Sequence, residues 1–111
     1  MSNALRFDAK TGRLRITGEL TIYQAAAAKA ELLKALDSGR LREIDLGAVT
    51  ELDTAGLQLL LLAKRTAAER GEALQLVNHS EPVLDVLTLL NVDAALGDPV
   101  LIPAASQEPA R

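Results

Sequence analysis

The sequence predicts an α/β domain: a small mixed β-sheet of four to five strands with three or four helices packed mainly on one face. Three observations carry this expectation. Segments with apolar residues at alternate positions recur between segments with apolar residues at helical spacing. The strand-like segments carrying Ile44 and Leu46, and Leu74 and Leu76, alternate apolar with polar residues; a parallel strand covered on both faces would be apolar throughout. Finally, 111 residues of which 49% are hydrophobic can bury one core and not two.

The elements follow in order. Leu5 and Phe7 open an extended segment, Lys10-Thr11-Gly12 reads as a turn, and Leu14 and Ile16 alternate with Arg13, Arg15 and Thr17, which makes a hairpin. Gly18 closes the second strand. A helix over about 23–36 turns Ala25, Ala28, Leu32, Ala35 and Leu36 inward and stops at Ser38-Gly39. The third strand is placed at 41–46, followed by a connection over 47–52. A strongly apolar helix spans about 54–70 and ends at Gly71, and a fourth strand covers 73–77. Ser80 is the expected N-cap of a third helix, with Pro82 in its first turn, Val83, Leu84, Val86, Leu87 and Leu90 as apolar positions and Asn91 as its close. Beyond it, 96–99 reads as a turn, 100–102 as a last short strand, and 104–111 as a flexible tail to a single domain over 1–103.

Composition narrows the function classes. A net charge of −3 and 2% aromatic residues argue against a nucleic-acid partner, which calls for a basic patch and stacking rings. Without cysteine there are no disulfides, thiolate metal sites or thiol nucleophiles. The N-terminus lacks the pattern of a secretory signal, and the longest apolar run, Leu59 to Ala63, is far below the roughly 18 residues that span a bilayer. A cytoplasmic protein without membrane insertion is expected.

The most informative stretch is 44–57. It carries Asp53-Thr54 from a strand to the start of a helix, where loops held on rigid elements tend to place function. Either side chain can cap the helix, since the first N–H groups of a helix lack intrahelical partners. The full capping box is absent, because Leu57 rather than Glu or Gln follows Thr54 by three. The helix itself has more apolar surface than one contact needs: Leu57, Leu60, Leu61 and Ala68 form one stripe, and Leu59, Leu62, Ala63 and Thr66 lie roughly opposite. The second stripe is either buried between the first and third helices or open to a partner.

Asp45-Leu46 followed by Asp53-Thr54-Ala55-Gly56-Leu57 closely resembles the signature of the STAS family, the sulfate-transporter and anti-sigma-factor-antagonist domain. Gly18-Glu19-Leu20 and Leu74-Gln75-Leu76-Val77 are similar to two further segments, so the resemblance covers about 5–96. The C-terminus departs from it, with proline-interrupted residues where many members carry an amphipathic helix. The resemblance implies a non-enzymatic module in which Thr54 is phosphorylated by a partner kinase. Its unmodified form would bind an anti-sigma factor or related kinase-like regulator through Asp53, Thr54, Ala55, Gly56, Gln58, Leu59 and Leu62. No cofactor or metal is implied. A second implied role is that of a minimal STAS subunit docking on the ATPase of a phospholipid-trafficking ABC transporter, and a third, unsupported by any phosphate-binding glycine loop here, is nucleotide binding.

Other chemistry finds little footing. His79, the single histidine, sits in an expected loop with no Asp, Glu or Cys at metal-ligand spacing. Thr54 lacks a nucleophile-elbow context. Asp45 ends a strand as a receiver-domain phosphoacceptor does, but the acidic pair and distal lysine of that fold are missing.

Overall fold

In the computed structural model, the described residues are 4–90. They form β1 (Ala4–Asp8), β2 (Arg13–Leu20), α1 (Ala25–Asp37), β3 (Glu43–Leu52), α2 (Thr54–Glu69), β4 (Gln75–Val77) and α3 (Glu81–Leu90). The element order is the expected one. The Asn91 stop, the turn at 96–99, the strand at 100–102 and the tail at 104–111 lie outside the described residues.

The sheet runs β1-β2-β3-β4, with β1 antiparallel to β2 and the other neighbours parallel. Its hairpin is closed by Asp8, whose carboxylate accepts from Lys10 N–H at 2.9 Å and whose carbonyl accepts from Gly12 N–H at 2.8 Å. Gly12, at φ +77°, then offers its own carbonyl to the N–H groups of Arg42 (2.7 Å) and Glu43 (3.0 Å), docking the turn on the chain entering β3. A β-carbon at this position would also press on the Arg40 carbonyl, so glycine is required twice over.

One sheet face supplies the core. Leu14, Ile16 and Leu20 of β2, Ile44, Leu46, Val49 and Leu52 of β3, and Leu76 of β4 join Ala28, Leu32, Ala35 and Leu36 of α1, Leu57, Leu60 and Ala63 of α2, and Val83 and Leu87 of α3 in one cluster. On the other face Arg6, Arg13, Arg15, Thr17 and Gln75 are exposed. The aliphatic core and one-sided packing agree with the expected architecture. No helix among the described residues is long and apolar enough to cross a membrane.

Residues 47–52, expected as a connection, continue β3 instead. The register with β2 slips between Arg15 and Thr17 and again between Gly18 and Glu19, each time with an extra residue on β3. These bulges change the inward positions from alternate residues to Ile44, Leu46, Val49 and Leu52. A strand with that spacing has no period of two to read.

Ser38-Gly39 does stop α1, with Ser38 Oγ donating to the Ala35 carbonyl at 2.6 Å and Gly39 at φ +74°. Ser80 precedes α3, but its backbone is what is engaged, its carbonyl accepting from Leu84 N–H at 2.9 Å and its N–H donating to the Leu46 carbonyl at 3.3 Å, while its buried hydroxyl has no hydrogen-bond partner among the described residues.

Candidate functional site

The loop between β3 and α2 is shaped by one carboxylate. Asp53 is the N-cap of α2, in extended conformation (φ −116°, ψ −173°), and its Oδ1 accepts from Gly56 N–H at 3.0 Å. Its Oδ2 accepts from Ile22 N–H at 2.9 Å, across 31 positions of sequence, so the same side chain fastens the β2–α1 turn to the start of α2. Desolvation opposes the charge, but the hydrogen bonds from the backbone of Gly56, Ile22 and Ala55 outweigh it and hold the Asp53 carboxyl below its usual range.

Because Asp53 does the capping, Thr54 is spared. It is the first residue of α2, exposed, and its hydroxyl enters no hydrogen bond among the described residues. Gln58 is exposed one turn further along, and Ala55 is half-buried. Next to them stand two residues that the sequence reading did not assign to the site: Ile22, 66% exposed, and Tyr23, 90% exposed. The turn that carries them is set by Gln24, whose Oε1 accepts from Thr21 Oγ1 at 2.6 Å and from Thr21 N–H at 3.1 Å. The signal was present in the chain as an apolar-aromatic pair just after a strand, hidden by placing the helix start at 23 instead of Ala25.

Gly56 and Leu59 are core residues, not surface. A β-carbon on Gly56 would collide with the Leu20 carbonyl and come within 2.7 Å of Leu52 Cδ1, so the body that approaches this glycine is the protein's own β2 end. Leu59 is 8% exposed and Ala63 is fully buried, because α2 packs against both β3 and α1. Of the expected outer stripe Leu62 and Thr66 remain half-buried and outside the core cluster, while Ala68, assigned inward, is exposed.

Asp45 has a structural place. It is 6% exposed, with Oδ1 accepting from Gly47 N–H at 2.9 Å and Oδ2 paired with Arg13 at 3.4 Å. His79 is far along the chain from Thr54 in the β4–α3 connection, and no group of three or more metal-ligating side chains is found among the described residues.

The family model described as "Mlab, STAS domain" matches residues 3–103. The chain belongs to the STAS domain family. Solved structures place the fold beside other STAS proteins. A candidate anti-sigma factor antagonist from Thermotoga maritima is 22% identical, with 98% of this chain and 95% of that one covered at a TM-score of 0.71. The anti-sigma factor antagonist SpoIIAA in its unphosphorylated form is 20% identical, over 79% of this chain and 83% of that one, at 0.60. The phosphorylated form of the Bacillus cell fate determinant SpoIIAA is 20% identical, over 89% and 92%, at 0.61. No curated protein sequence matches the chain significantly. As a STAS domain, the chain has its Asp-Thr-x-Gly-Leu segment at the β3–α2 junction, with Asp53 turned into the fold and Thr54 turned out.

Proposed function

We propose that this STAS domain is a non-enzymatic regulatory module of the cytoplasm that binds an anti-sigma factor or related kinase-like regulator, and that reversible phosphorylation of Thr54 controls the binding. The observation that supports this most is the division of labour at the loop: Asp53 satisfies the helix start, leaving the Thr54 hydroxyl exposed and uncommitted. The docking surface comprises Asp53, Thr54, Ala55 and Gln58 with Leu62, extended by Ile22 and Tyr23; Gly56 and Leu59 support it from inside. A phosphate adds about −1.5 to −2 charges at a helix N-terminus, which the helix itself tolerates well. Its effect therefore falls on the partner, through repulsion and desolvation beside the ionised Asp53. The test is titration of the partner regulator with unmodified protein and with protein phosphorylated at Thr54; equal affinities would remove the switch.

A second reading, implied by the resemblance of the sequence, is docking on an ABC transporter ATPase through the same surface. In that role the loop is a constant contact. Co-purification with the ATPase irrespective of Thr54 phosphorylation would distinguish it.

A further inference from the structure

The open face of the sheet carries a feature that the Thr54 loop does not explain. A cleft of about 820 Å³ lies along the β1–β2 hairpin, lined by four basic residues, Arg6, Lys10, Arg13 and Arg15, and two acidic ones, Asp8 and Glu43. The chain as a whole is acidic, at −3. Arg13 is neutralised by Glu43 at 3.0 Å and by Asp45 at 3.4 Å. Arg6 and Arg15 are not. They stand directly opposite each other in the antiparallel register, both exposed, and neither guanidinium has an ion pair or hydrogen bond among the described residues. Like charges directly opposite on a strand pair weaken the pairing; a Glu at position 6, on the edge strand, would strengthen it, whereas at position 15 it would stand beside Asp45, the register partner on β3. The hairpin thus retains an arrangement that its own stability disfavours, the pattern expected where a surface is kept for binding.

The layout indicates the ligand. Unpaired positive charge sits at the turn, on Lys10, and again on Arg6 and Arg15, which lie two register steps beyond the Asp8–Arg13 position that closes the hairpin, with the neutralised Arg13 between. Spaced charges of this kind suit an extended ligand with separated negative groups better than one compact anion, and guanidinium forks bind carboxylates in bidentate fashion. Arg13 and Glu43 begin β2 and β3, whereas Thr54 follows the end of β3, so the cleft lies at the opposite end of the parallel strands. We propose that this cleft binds an acidic segment of a partner protein, independently of the Thr54 surface.

The experiment uses the full chain and a short fluorescent peptide of alternating Glu and Ser, followed by anisotropy at low salt and again at about 0.3 M, where exposed charges are screened. Wild type is expected to bind at low salt, the double variant R6Q/R15Q to bind at least tenfold more weakly, and K29Q, on exposed α1, to match wild type. R6E is expected to lose the peptide while its melting temperature rises, because Arg15 then faces a carboxylate and position 6, on the edge strand, has no other cross-strand neighbour. Should the double variant melt early, R6Q alone repeats the measurement with β2 untouched. Absence of peptide binding by wild type, equal affinity in R6Q/R15Q, or displacement of the peptide by inorganic phosphate or ATP would overturn the proposal, the last by showing a site for compact anions.

Discussion

Asp53 and Thr54 are neighbours with opposite duties. Removing the Thr54 hydroxyl breaks no hydrogen bond of the described residues, so T54A is expected to unfold within about 0.5 kcal/mol of wild type, the range of ordinary surface changes. Under the phospho-switch T54A keeps its partner and resists the kinase, whereas T54E binds at least about tenfold more weakly, or 1.4 kcal/mol. Titration calorimetry with the partner checks both. D53N is the sharper test of loop geometry. Asn retains a cap acceptor for Gly56, but its amide turns a donor toward Ile22 N–H or toward Gly56, so one of the two bonds is lost at a cost of about 1 to 2 kcal/mol. The carboxyl is also a source of acid sensitivity. Its pKa is lower folded than unfolded, so its stabilisation is present above the unfolded value of about 3.9 and is lost as pH falls through the folded value. Urea midpoints measured from pH 6 downward are expected to decline less in D53N than in wild type.

At the scale of the element, α2 is a helix wedged between β3 and α1, and its contacts rank its leucines. An aspartate at a buried position leaves a charge without partners, a cost of several kcal/mol against a total of about 5 to 15. L59D, like L60D, is therefore expected to unfold the protein, while L62D, at a half-buried site outside the core, is expected to stay folded and lose the partner. Circular dichroism followed by partner pull-down separates the outcomes; an unfolded L62D would assign that flank to the core. G56A tests how closely α2 sits on β2. The added methyl has no room beside the Leu20 carbonyl, so α2 must shift, at about 1 to 3 kcal/mol or more, and the Thr54 loop moves with it. Thermal melts read the first effect and partner affinity the second.

For the molecule as a whole, the two sheet faces differ in what holds them. The helix-covered face is aliphatic and tolerant of like-for-like exchange, whereas the open face depends on charge placement. Arg13 links β2 to β3 through Glu43 and the nearly buried Asp45, so R13Q is expected to cost about 1 to 3 kcal/mol by depriving Asp45 of its ion-pair partner, more than R6Q, which removes an unpaired group on the edge strand. Urea unfolding of the two variants makes the comparison. The Thr54 loop and the arginine cleft occupy opposite ends of the parallel strands, so substitutions at one are expected to leave binding at the other unchanged.

The sequence by itself determined the order of elements, the one-sided aliphatic core, the hairpin and the position of Asp53-Thr54 at a helix start, because these depend on local periodicity, turn residues and capping chemistry. It could not reveal β3 beyond Leu46, since two bulges erase the alternation that marks a strand. Nor could it sort Leu59 from Leu62: five consecutive apolar residues carry no contrast, and only the neighbours of α2 decide which of them are covered. Which of Asp53 and Thr54 caps the helix was likewise left to the fold. That choice rests on a hydrogen bond to Ile22 across 31 residues, an interaction that no local pattern records and that chain topology alone brings within reach.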